Sequence, residues 1–134
     1  MTTNGGNSGI GLGIVDGRLA PCPNKPNCVS SQAAASDKRH CIEALTYSGE
    51  PAQARGRLEG AIAGMKRARL VGREANYWRA EFTSALWRFV DDVEFLFDDN
   101  ARRIDIRSAA RVGYGDFGVN RRRMEEIRRR FSGQ

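Results

Sequence analysis

Three carboxylates stand close together at Asp91, Asp92 and Glu94, in the run Phe89-Val90-Asp91-Asp92-Val93-Glu94-Phe95. Acids so placed could hold a hard cation, or share a proton because two neighbouring like charges resist ionising together. Asp91 is the sharpest anomaly. In strict two-residue alternation it falls on the apolar face, between Phe89 and Val93. A buried carboxylate is costly unless paired. Either Asp91 meets an arginine such as Arg107 or Arg111, or Asp91-Asp92 forms a β-bulge that turns the acid outward. Asp92 and Glu94 share the opposite face, where Arg79 or Arg103 could meet them across strands.

A second run follows, Arg107-Ser108-Ala109-Ala110-Arg111-Val112-Gly113-Tyr114-Gly115-Asp116-Phe117-Gly118-Val119-Asn120-Arg121. Its glycines can take positive φ and let the backbone curl. Amides at the start of the next helix, with Arg107, Arg111 and Arg121, would suit an anion. The competing reading is a tight structural loop in which Asp116 and Asn120 cap amides and Tyr114 packs. Gly113, Gly115 and Gly118 spell Gly-x-Gly-x-x-Gly. As a dinucleotide signature this is weak, because no βαβ unit surrounds it. The candidate ligand-binding set is therefore Asp91, Asp92, Glu94, Arg107, Ser108, Arg111, Tyr114, Asp116, Asn120 and Arg121. An enzyme would draw its acid–base groups from Asp91, Glu94, Tyr114 and Asp116, but no nucleophile–base pair is recognisable.

The elements that must position these residues follow from periodicity. Residues 1–16 are polar and glycine-rich and read as a flexible tail, and 17–40 as a long loop with Pro21, Pro23 and Pro26. Residues 41–47 read as a short strand. Pro51 opens a helix, with Ser48 as its candidate cap and an apolar face of Ala54, Leu58, Ala61, Ile62 and Met65. Residues 67–73, 76–84, 87–97 and 102–108 read as strands, with Asp98-Asp99-Asn100 as a turn. In 87–97, Trp87, Phe89, Val93, Phe95 and Phe97 share one face. A last helix spans about 119–131, its stripe being Val119 or Arg123, then Met124, Ile127 and Phe131. Its arginines and glutamates sit at ion-pair spacing, so the arginine run reads as a solvated face. The expected fold is α+β: a single domain over 17–134, with an antiparallel meander of about five strands and helices packed on one face.

Composition sets outer limits. The whole charge excess lies in residues 101–134, with 10 basic and 4 acidic side chains, and the chain carries a net +6. An anionic small molecule or a protein is the expected partner. Nucleic acid is not, since no groove-entering helix is flanked by stacking aromatics. Arginine outnumbers lysine 19 to 3, which fits GC-rich coding. The sequence has no apolar stretch of membrane-spanning length and no leader pattern at its start, so a cytoplasmic location is expected. Cys22 and Cys28 would close a small loop as a disulfide in an oxidising compartment and stay thiols in the cytosol. Cys22, Cys28, His40 and Cys41 form a tetrahedral donor set, but their spacing matches no standard zinc module. No metal or cofactor is expected.

Three stretches together carry a resemblance: Cys22-Pro23-Asn24-Lys25-Pro26-Asn27-Cys28-Val29-Ser30-Ser31-Gln32 and the two runs quoted above. In this order, over about residues 18–131, the chain resembles the family catalogued as domain of unknown function 1499. Ala110 departs from it, standing where a serine would be usual. The resemblance implies occurrence in bacteria and plastids, with many relatives secreted or membrane-anchored, and supplies no activity, substrate or cofactor. The expected function is a non-catalytic binding or assembly module, its polar site joining the Asp91 strand to the arginine–glycine loop. The alternatives are a small enzyme using Asp91, Glu94 and Asp116, and an accessory subunit with no site of its own.

Overall fold

A computed structural model describes residues 11–133. Its elements run β1 (Ile14–Val15), β2 (Arg18–Leu19), β3 (Cys28–Ser30), β4 (Leu45–Thr46), α1 (Pro51–Ala63), β5 (Ala68–Arg73), β6 (Tyr77–Thr83), β7 (Val90–Asp98), β8 (Arg103–Ala110) and α2 (Val119–Phe131). β1 and β2 make a small hairpin. The main sheet has six strands in the order β3-β8-β7-β6-β5, with β4 also paired to β8. All these pairs are antiparallel. The fold is thus α+β, and β5 to β8 form the meander that short connections dictate.

One face of the sheet carries the core. Trp78, Ala80 and Phe82 of β6, Val93, Phe95 and Phe97 of β7, and Ile104 and Ile106 of β8 pack with Ala54, Leu58 and Ile62 of α1 and Met124, Ile127 and Phe131 of α2. Period-2 strands and period-3.6 helices present these sets to one another. Pro51 stands in the first turn of α1, where its missing N–H costs nothing. The N-cap is Glu50 and not Ser48.

Five expectations need correction. The 17–40 stretch contains two strands, β2 and β3, and only Leu45–Thr46 of 41–47 is a strand. Part of the expected tail lies outside the described residues, but Ile14–Val15 pairs with Arg18–Leu19. Trp87 and Phe89 are exposed and precede β7. Arg88 sits at φ 61, in the left-handed region, so the extended alternation cannot run back through it. No bulge occurs at Asp91-Asp92, where β7 keeps continuous register with β6 and β8; the register shift is in β5, between Leu70 and Gly72.

Cys22 and Cys28 form a disulfide. Cys28 is a buried β3 residue, so the bond ties the segment after the hairpin to the sheet. Loop-closure entropy makes so short a bridge worth about 2 kcal/mol. Reduction should lower unfolding free energy by about that amount and leave one cooperative urea transition. A broadened or biphasic transition would show that β3 depends on the bond.

Candidate functional site

All the expected site residues except Tyr114 and Arg121 divide among three clusters on two faces of the sheet. On the helix face, Asp91 points toward α2, and its Oδ2 lies 2.9 Å from Arg123 Nη1. The same guanidinium nitrogen donates to Asn120 Oδ1 at 2.9 Å and Ser108 Oγ at 3.3 Å, and the group lies over the Phe82 ring. Burial pushes the Asp91 carboxyl up, against the attraction of Arg123, and its pKa stays above the ordinary value. Asn120, fully buried, knits the cluster together. Its side chain accepts from Ser108 Oγ at 2.5 Å and donates to the Asn27 carbonyl and to Asp116. Asn27 in turn donates to the Gly113 carbonyl and accepts from Ala110 N, which fastens the glycine loop.

On the opposite face lies an ion network. Arg111 forks onto Asp92, from Nε to Oδ2 at 2.8 Å and from Nη2 to Oδ1 at 2.9 Å, and reaches Glu81 at 2.7 Å. Arg79 bridges Asp92 and Glu81 as well. Burial opposes ionisation of Glu81, but hydrogen bonds from Arg111, Arg69 and Arg79 outweigh it and hold its pKa low. Hydrogen bonds to carboxylates, chiefly to Asp92, push Arg111 up.

The third cluster, on the same face, is sealed under the N-terminal segment. Glu94 is 0% exposed and Arg107 2%. Arg107 Nη1 donates to Glu94 Oε1 at 3.2 Å, and Nη2 to the Pro21 carbonyl. Glu94 Oε2 accepts from the Tyr77 hydroxyl at 2.5 Å and from Gly13 N at 2.7 Å. Burial, then the Glu94 charge, push the Tyr77 phenol far up, so it remains a donor. Farther along β8, Asp105 accepts from Ser31, Gln32 and Arg103. These contacts overcome burial and lower its pKa.

Asp91 therefore pairs with Arg123, not with Arg107 or Arg111. Both of those arginines belong to the other face. Asp92 does meet Arg79, whereas Arg103 pairs with Asp105. The expected anion cradle is already filled from within. Asp116 accepts from Gly118 N and Asn120 N at the start of α2, so the protein's own carboxylate occupies the helix N-terminus. Arg121 donates to the carbonyls of Lys38, Arg39 and Cys41, away from the loop. Tyr114 does not pack; it is 64% exposed. Two of the four donors weighed for zinc, Cys22 and Cys28, are bonded to each other. His40 is buried between Asp37 and the Lys25 carbonyl. A cleft of about 450 Å³ lies between the hairpin and residues 30–37, lined among others by Arg18, Leu19, Cys22 and Gln32. None of the expected site residues lines it.

Sequence reasoning missed Arg123, Tyr77, Gly13 and Asn27. Arg123 had a signal: it is an arginine on the apolar stripe of α2, which calls for an acid on the facing sheet. The glycine, the tyrosine and the asparagine act through contacts across long chain separations, and local pattern carries no trace of these.

Two loops at one end of the sheet were also missed as a unit. Residues 84–89 join β6 to β7, and 111–118 follow β8; they are neighbours because Asp91 pairs with Ala110 and Arg111 N donates to the Val90 carbonyl. Leu86, Trp87, Phe89, Val112 and Phe117 are all exposed there, with Tyr114 beside them. Among the described residues no helix is long and apolar enough to cross a membrane.

An α+β domain built on a six-stranded antiparallel sheet, with its polar residues tied into internal networks, is the class these observations define. The chain belongs to the family described as protein of unknown function (DUF1499), whose model matches residues 18–131. No curated protein matches the chain.

Proposed function

We propose that this domain is a non-catalytic binding or assembly module, and that it binds through the loop end formed by residues 84–89 and 111–118. The observation that carries this reading is the gathering of exposed apolar side chains on two adjacent loops, at the end where Asp91 and Ser108 fix the sheet to Arg123 and Asn120 of α2. Exposed apolar groups concentrated in one place mark interaction sites. The alternative of a small enzyme draws less support. Asp91, Glu94 and Asp116 are each held by donors within the fold. An anionic small molecule would have to compete with Glu94 for Arg107 and with Asp92 for Arg111. The disulfide favours an oxidising compartment over the cytoplasm.

The test is site-specific photo-crosslinking in cells. A photoreactive residue is placed at position 87 or 117, or at 100 in the β7–β8 turn at the far end of the sheet. Covalent adducts, with protein or lipid, are expected from 87 and 117 and not from 100. Equal yield from all three positions would overturn the reading.

A further inference from the structure

The apolar residues at the loop end do not lie flat. Phe117 is 96% exposed, Leu86 76% and Trp87 71%. Side chains this bare stand clear of their own protein. They are poorly suited to the packed core of a protein–protein interface, which needs about 800 Å² of complementary surface per partner. They suit insertion into a soft medium. Their composition matters too: tryptophan and tyrosine favour the water–hydrocarbon boundary, since each joins an apolar ring to a polar group.

Cations stand beside each tip. Arg88 lies between Trp87 and Phe89 in the chain and is exposed. Arg122, on the first turn of α2, donates to the Phe117 carbonyl at 2.8 Å. Arg67 donates to the Thr83 carbonyl at 3.1 Å, where the 84–89 loop begins. Among the described residues none of the three makes an ion pair. The acids of this end, Glu81, Asp91 and Asp116, are turned to their own partners. What faces outward is thus apolar at the tips and cationic around them. A guanidinium presents a planar fork of donors that matches a phosphate.

We infer that the loop end seats on an anionic lipid surface, with Trp87, Phe89 and Phe117 entering the headgroup–acyl boundary and Arg67, Arg88 and Arg122 meeting lipid phosphates. The inference rests on the reading of this end as the binding surface and names its occupant. Attraction to anionic lipid and burial of apolar tips act together: the first brings the protein to the surface and is screened by salt, the second holds it there.

The test uses the full chain with two kinds of vesicle, phosphatidylcholine alone and phosphatidylcholine mixed with phosphatidylglycerol. Binding to the mixed vesicles should be stronger by roughly tenfold or more, and should weaken as salt is raised. Trp87 emission should shift to the blue on binding. The other tryptophan, Trp78, is buried in the core, so a Trp87→Phe variant should bind and lose the shift. The double variant Trp87→Ser/Phe117→Ser should bind roughly tenfold more weakly or worse. Both positions are exposed, so its far-UV circular dichroism should match that of the parent. Binding that survives the double variant would overturn the inference, since the protein would then be adsorbing through another basic face such as that of α2. Failure to bind either vesicle would overturn it as well. In that case protein adducts from position 117 in the crosslinking experiment would leave the binding end standing with a different occupant, and their absence would remove both.

Discussion

Replacing Glu94 with alanine should cost the domain about 3–5 kcal/mol, a large share of the roughly 5–15 kcal/mol that holds a domain of this kind folded. The carboxylate is fully buried and serves three donors at once: Arg107, Tyr77 and Gly13 N. Its loss would strand a guanidinium that is itself 2% exposed and whose Nε has no partner among the described residues. Breaking a buried pair from one side leaves an uncompensated charge, and that is the source of the large penalty. The pair need not be favourable in itself. A triple variant Glu94→Leu/Arg107→Met/Tyr77→Phe removes every stranded side-chain group together and should recover most of the loss, because well-packed apolar replacements of buried ion pairs are often neutral or stabilising. Urea unfolding of the two variants and the parent checks this. A cost under about 1 kcal/mol for Glu94→Ala would mean that water reaches Arg107 once the acid is gone.

The strands and helices that bury one clean face were legible in the sequence. Alternation of Trp78, Ala80 and Phe82 marks β6, and Met124, Ile127 and Phe131 mark α2 at the same bounds in sequence and structure. Asp91 stood out correctly as a charge on the apolar face. Its partner did not, because the choice among Arg107, Arg111 and Arg123 depends on which face each presents, and tertiary packing of α2 settles that. Adjacent β8 residues show the difficulty. Arg107 and Ser108 differ by one position and lie on opposite faces, in separate clusters. The short strands β1 to β3 were illegible for a different reason. Two or three residues are too few for a period; β1 and β2 pair only with each other, and β3 rests on a distant partner, with Ser108 opposite Val29. Trp87 and Phe89 misled because their alternation with Val93 continues in sequence, while the backbone at Arg88 leaves the extended region.

The Asp91–Arg123 pair should prove asymmetric. Burial outweighs the attraction of Arg123 and leaves the Asp91 pKa raised, so in the folded protein the neutral carboxyl is favoured more than in the unfolded chain. A carboxyl shifted this way lowers stability as pH rises from its unfolded value of 3.8 through its folded value, because the native state then holds the proton that the unfolded state has released. At neutral pH ionised Asp91 is accordingly a burden, offset in part by its arginine. Asp91→Asn removes that burden, and Arg123 keeps Asn120 Oδ1, Ser108 Oγ and the Phe82 ring. The change should stay within about 1 kcal/mol of the parent at pH 7. Arg123→Ala does the reverse: it leaves a poorly hydrated carboxylate with no cation and empties the space above Phe82, and it should cost about 3 kcal/mol or more. Much of that cost should vanish in the double variant Asp91→Asn/Arg123→Ala, since a neutral amide at position 91 has no charge to strand. The Arg123→Ala penalty should also shrink as pH falls toward 4, where the lone carboxyl can take up a proton. Equal costs for the two single changes, with no pH dependence in either, would mean that the pair is solvated and that α2 is held to the sheet by its apolar stripe alone.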